Sequence, residues 1–250
     1  MSLVSNTTNY SRTRDDIIKR ALRIIGAIGQ GETPSTDAVS EASFALNDLV
    51  KEWQTDGMQI WKYGTSGLIT YVSGQKTYLI GTNAAVNQLA PLKVVQAFNR
   101  NISSSIDTPV LLTSLQERNM LGNKSSTGTP NQLWYLPPGP PQTEMVGTIS
   151  VYPTPDANAA ATYNLVVVGM YPLYDLDVAG DLVDFPSFYY NALTWGLADQ
   201  LSYEYGVPFA QQSMITKKAE SHLAKALGYD REEGSVYLQP DWNRGGYGER

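Results

Sequence analysis

At 250 residues and a formal net charge of −6, the chain is long enough to bury roughly 70–75% of its unfolded surface, in one domain with a lobe or in two small domains. It has no cysteine, which excludes a disulfide scaffold and Cys-ligated zinc, and no Lys/Arg cluster of the kind that grips DNA by releasing counterions. The stretch from Met1 to Arg14 lacks the apolar core of a secretory signal, and no apolar run approaches the ~18 residues a membrane span needs, so a soluble protein is expected.

The first helix is expected from Arg14, where Ile17, Ile18, Ala21, Leu22, Ile25 and Ile28 recur at helical spacing, with Gly29 and Gly31 as its stop. Ser35 or Thr36 caps a second helix, with Asp37 in its first turn and Val39, Ala42, Leu46, Leu49 and Trp53 as its stripe up to Gly57. The period then changes to that of strands. Leu68 to Val72 and Thr77 to Leu79 flank Ser73-Gly74-Gln75 and predict a β-hairpin. Leu92 to Phe98 and Val110 to Leu112 predict a strand pair around the polar loop Asn99–Asp107. Ser114 and Glu117 have the spacing of a capping box on a short helix to Leu121.

Gln132–Leu136, Thr148–Tyr152 and Tyr163–Gly169 are three further strands, and the stiff run Pro137-Pro138-Gly139-Pro140-Pro141 cannot pair inside a sheet. Helix resumes at Pro186, tolerated in a first turn, with Tyr190, Leu193, Leu197 and Leu201 as its stripe. A last helix runs from about Phe209 to Leu227 and carries Met214, Ile215, Ala219, Leu223 and Leu227. The expected class is therefore α+β: an antiparallel helical bundle built from both chain ends (1–57 and 173–227), an inserted β-rich module (58–172) and a C-terminal tail (228–250). The bundle core is assigned to Leu22, Ile25, Leu46, Leu49, Trp53, Leu193, Leu197 and Leu223. Tyrosine is the compositional exception, with 16 residues against 5 phenylalanines. Its large ring and polar tip suit both strands and surfaces that become buried in a complex.

Little in the sequence points to chemistry. The single histidine, His222, is mid-helix beside Glu220 and Lys225, and without cysteine no triad can be assembled around more than that one base. Asp175, Asp177, Gly180 and Asp181 echo a calcium loop, but Ala179 occupies a ligand position and Pro186 stands where a bidentate Glu belongs. Wall-cleaving glycosidases use paired carboxylates, for which Glu32, Asp37 and Glu204 are the candidates, but no spacing singles out a pair. Trp61, Trp134 and Tyr135 would be the aromatics of a sugar-binding surface. No catalytic, metal or cofactor residue is assigned.

An ordered set of motifs resembles the head-to-tail adaptor (tail accessory factor, tail tubular protein A-like) family of short-tailed bacteriophages. It comprises Ala21-Leu22-Arg23-Ile24-Ile25-Gly26, Gly31-Glu32-Thr33-Pro34-Ser35, Ala45-Leu46-Asn47-Asp48-Leu49 up to Trp53 and Asp56-Gly57, and Gly74-Gln75-Lys76-Thr77-Tyr78-Leu79-Ile80-Gly81. It continues with Val151-Tyr152-Pro153-Thr154-Pro155 and Pro186 through Tyr190-Asn191-Ala192-Leu193 to Glu204-Tyr205-Gly206. It covers roughly residues 12–227.

The resemblance implies a structural virion protein rather than an enzyme, made in the host cytoplasm and placed in the neck of the tail. Such a protein forms a homo-oligomeric ring, expected to be a dodecamer, under the portal protein, and joins it to nozzle and fibre proteins. Double-stranded DNA passes through without specific binding, past a lumen whose acidity would repel phosphates. In the tail, Tyr237, Leu238, Trp242 and Tyr247 are the expected portal anchors, as spaced aromatics in a polar segment that orders on a partner. The alternative is a tail-associated peptidoglycan-cleaving enzyme.

Overall fold

A computed structural model describes residues 9–55, 62–139 and 145–229. Helix α1 (Arg14–Ile24) opens on a capping box in which Thr13 accepts from the Asp16 N–H while the Asp16 carboxylate accepts from the Thr13 N–H. It stops one turn earlier than the glycines at 29 and 31 suggested, because Gly26 takes φ +79°. Ser35 caps α2 (Thr36–Thr55) through its hydroxyl, which accepts from the Ala38 N–H. After the β region, a 3₁₀ turn at Ser187–Tyr189 leads into α5 (Tyr190–Glu204), followed by α6 (Phe209–Tyr229).

These helices do not form the antiparallel bundle expected from the two chain ends. The chain is instead a mixed fold in which a nine-stranded, curled sheet is the largest element and six helices accompany it among the described residues. Helices α1, α2 and α6 each pack on α5. The long α6 buries only Ile215 and Ala226, so it leans on α5 with a narrow face instead of closing a four-helix layer. The residues assigned to a bundle core lie around this hub. Leu22, Ile25, Leu46, Leu49, Trp53, Leu193 and Leu197 are buried together, and Leu223 packs half-buried against them. Phe185 and Tyr189 close around Trp53 with ring centroids 6.2 Å away, Phe185 edge-on.

The strands are β1 (Tyr63–Thr65), β2 (Ile69–Thr70), β3 (Thr77–Gly81), β4 (Val86–Asn87), β5 (Lys93–Asn101), β6 (Asp107–Leu112), β7 (Thr127–Gly128), β8 (Gln132–Leu136), β9 (Gly147–Tyr152), β10 (Thr154–Pro155) and β11 (Tyr163–Met170). Their order is β1-β11-β5-β6-β8-β9-β3-β4, with β2 also on β11; β7 and β10 form a separate parallel pair. Two short helices complete this region: α3 (Leu115–Met120), started by the Ser114/Glu117 capping box, and α4 (Ala157–Thr162), capped by Asp156.

The predicted hairpin around Gly74 is a second correction. β2 pairs with β11 and β3 pairs with β9, so the turn joins opposite ends of the strand order. It is fastened across the gap, since the Gly74 N–H donates to the Pro155 carbonyl and the Val72 N–H to the Tyr78 hydroxyl. Ile69 and Ile80, from those opposite ends, share one core with Leu133, Ile149, Leu165 and Val167. Sharing a core requires the sheet to roll over on itself. This core is separate from the one around α5.

Candidate functional site

No group of three or more His, Asp or Glu side chains is placed to hold a metal among the described residues, and none of the described helices is long and apolar enough to cross a membrane. The side chains singled out for chemistry have local partners. The Glu32 carboxylate accepts from the Gly29 N–H at 2.6 Å and closes its own turn. In the loop that echoes a calcium site, Asp181 accepts from the Val178 N–H, Asp175 pairs with Lys51, and the Asp177 carbonyl accepts from the buried Arg14 guanidinium. His222 stacks on Trp195, and the Lys218 ammonium lies over the same Trp195 side chain. Its imidazole is lowered below the ordinary value, first by burial and then by Lys225, Lys218 and Arg20.

The molecule instead presents surfaces, three of which have definite chemistry. The first is a cup of about 120 Å³ between α3 and strands β8 and β9, where Lys76, Arg118 and Lys124 surround Trp134. The Arg118 guanidinium lies 4.8 Å from the Trp134 ring centre. The lining holds no acidic residue, so the cup offers N–H donors suited to a carboxylate or similar anion.

The second is a groove between α2 and α5. Phe44 and Tyr203, 64% and 67% exposed, lie there among Glu41, Asp48, Asp199 and Glu204. Asp199 accepts from the Thr216 hydroxyl of α6. The third is on α1 and the segment before it, where Lys19, Arg20 and Arg23 lie with Arg12, Tyr10 and a single acid, Asp16, a gathering of cations that corrects the expectation of no Lys/Arg cluster. The Arg12 guanidinium donates to the Tyr10 hydroxyl and sits against the Tyr190 ring.

No protein-family model and no curated protein matches the chain. The tail residues expected to be anchors, Tyr237, Leu238, Trp242 and Tyr247, lie outside the described residues, as does Trp61. Of the carboxylates weighed for a glycosidase pair, Glu204 lies in the α2/α5 groove, whereas Glu32 closes its turn and Asp37 stands in the first turn of α2.

Sequence reasoning missed the groove, although a signal was present. Phe44 falls off the Val39–Trp53 stripe and sits between Glu41 and Asp48, so an apolar ring occupies the polar face of α2. Other large apolar side chains also stand exposed on the helical part: Phe209 at 83%, and Met214, Tyr229 and Tyr205.

Proposed function

We propose that the protein is a structural head-to-tail adaptor of a short-tailed bacteriophage. It assembles as a ring, with twelve copies the expected number, under the portal and connects that ring to nozzle and fibre proteins around a passage for double-stranded DNA. The observation that carries this reading is the apolar pair Phe44 and Tyr203, exposed together in the α2/α5 groove among four carboxylates. Exposed apolar patches rimmed by charge belong to surfaces that other chains cover. The two separate cores add support, because each gives its part of the chain an independently packed body to offer a different neighbour. The ordered motifs between residues 12 and 227 support the family assignment. The tail aromatics from Tyr237 to Tyr247 are the proposed portal anchors.

Native mass spectrometry of the full chain mixed with the portal ring of the same virus tests this reading. A gain of about twelve chains per portal ring is the expected result for a closed heterologous ring. A folded chain that leaves the mass of the portal ring unchanged overturns it.

A further inference from the structure

The α2/α5 groove and the α1 face are lined by different residues, and their charges are opposite. The groove brings together Glu41, Asp48, Asp199 and Glu204 with no cation in its lining. The α1 face brings together Arg12, Lys19, Arg20 and Arg23 with Asp16 as its only acid. Among the described residues, the ion pairs of the chain are Arg14–Asp15, Lys51–Asp175, Lys62–Asp184 and Arg100–Asp107. Neither surface spends any of its charge in them.

Each surface also carries an exposed ring, Phe44 and Tyr203 in the groove and Tyr10 beside the α1 face, so a contact between them has apolar as well as ionic content.

We propose that the occupant of the α2/α5 groove is the α1 face of a second copy of this chain. Two unlike, complementary patches on one molecule define a heterologous contact, which repeats from copy to copy and closes into a ring when its rotation allows. Like-charged juxtapositions, groove on groove or α1 face on α1 face, are disfavoured, so the charge pattern fixes the polarity of the repeat. The proposal rests on the adaptor reading for the closure of the ring, but the contact itself rests on the two surfaces alone.

The absence of native cysteine makes the test direct, because each introduced thiol is unique. Full-length Glu41→Cys and Arg20→Cys variants are prepared separately, mixed in equal amounts and treated with a short bis-maleimide. Asp48→Cys with Arg23→Cys serves as a second pair, and circular dichroism checks the fold of each variant. The mixtures are expected to give cross-linked dimer at about tenfold or more the yield of either variant alone, as orientation by unlike charges requires. The yield falls when salt rises from about 0.02 to about 0.5 M, which shortens the screening length from roughly 20 Å to roughly 4 Å. A chain carrying both Glu41→Cys and Arg20→Cys extends beyond dimer into a ladder.

Dimer from Glu41→Cys alone at the yield of the mixture signals a twofold contact and overturns the proposal. So does background yield from both mixtures, whatever else fills the two surfaces. The portal mass measurement separates the two ideas. Cross-linking without portal binding removes the adaptor reading and leaves the contact standing, while portal binding without cross-linking removes the contact alone.

Discussion

Replacing Trp53 by alanine probes the hub around α5. The indole is 6% exposed, Phe185 meets it edge-on and Tyr189 lies tilted against it. The α5 backbone also comes so close that a Cβ at Gly196 would stand 3.5 Å from the indole. The ring is wedged between α2, which carries it, and the 185–196 run that leads into α5, whose own packing on α1 and α6 limits how far it can close on the vacated volume. The loss therefore combines transfer of a large ring to water with a residual cavity, about 3–5 kcal/mol in total. For a chain of this size that corresponds to a fall in melting temperature of roughly 6–20 °C. Urea titration followed by circular dichroism measures it, with a lowered midpoint at unchanged slope as the expected form. Trp134→Ala, which removes a half-exposed ring under the Arg118 guanidinium, provides the contrast and is expected to cost less. A Trp53→Ala change below about 1 kcal/mol, the range of surface positions, would refute the placement of Trp53 in a shared core.

Asn99 is buried between the Tyr71 hydroxyl, which donates to it, and the Pro130 carbonyl, which accepts from it, both at 2.6 Å. Asn99→Leu is expected to cost about 2–4 kcal/mol by orphaning both groups, and a double-mutant cycle with Tyr71→Phe should recover part of the loss. At Gly169, where the β5–β11 register shifts, an alanine Cβ would meet the Lys93 carbonyl oxygen at 2.7 Å and Pro91 at 2.8 Å. Gly169→Ala should lower the unfolding free energy by about 1–3 kcal/mol, read as a lowered urea midpoint.

Burial raises the hydroxyls of Tyr71, Tyr78, Tyr135 and Tyr171 above the ordinary phenol value. Their contribution to stability is complete below the unfolded value of about 10 and is lost as pH climbs beyond it. Absorbance at the phenolate band should therefore rise together with unfolding; titration of all tyrosines with the fold intact would contradict this. The single His222 titrates below its ordinary value in the folded chain, so stability falls slightly as pH drops below about 6.5. Proton NMR should read the low midpoint directly, with Lys218→Ala moving it upward.

What was legible in the sequence was mostly local. The three- and four-residue spacing of Leu46, Leu49 and Trp53 marks a buried stripe, and Ser114 with Glu117 marks a helix start, because both signals act within a few residues. The Thr13/Asp16 box is equally local but carries a weaker sign, since an aspartate stands where a glutamate is usual.

Pairing over long distances was not legible. Ser73-Gly74-Gln75 has the composition of a hairpin turn, yet the partners of β2 and β3 are set by the hydrophobic register of β11 and β9. Strands of two residues such as β4, β7 and β10 have no period to detect. The bundle expectation failed because the apolar stripe of α6 has the right spacing, while among the described residues only Ile215 and Ala226 of it are buried, against α5 and the turn before it. The surface chemistry was visible only as unlike charges near aromatic residues, and the groove appears once α2 and α5 lie side by side.

The way the two cores are joined has a mechanical consequence. The chain passes from α2 towards the sheet at β1 and returns through the end of β11, and these two strands lie side by side with Tyr63 opposite Met170. Tension applied along the strand axis therefore pulls on both strands from the same end. β11 is anchored to β5 over eight residue pairs from Tyr163 to Met170, so that tension loads the ladder in shear, with many hydrogen bonds resisting at once instead of opening one after another. The return path is lashed to α2 where it leaves the sheet, since the Gln54 side chain accepts from the Leu173 N–H and the Lys51 ammonium donates to the Leu173 carbonyl. A strut wired in this manner passes a pull from one body to the other without peeling.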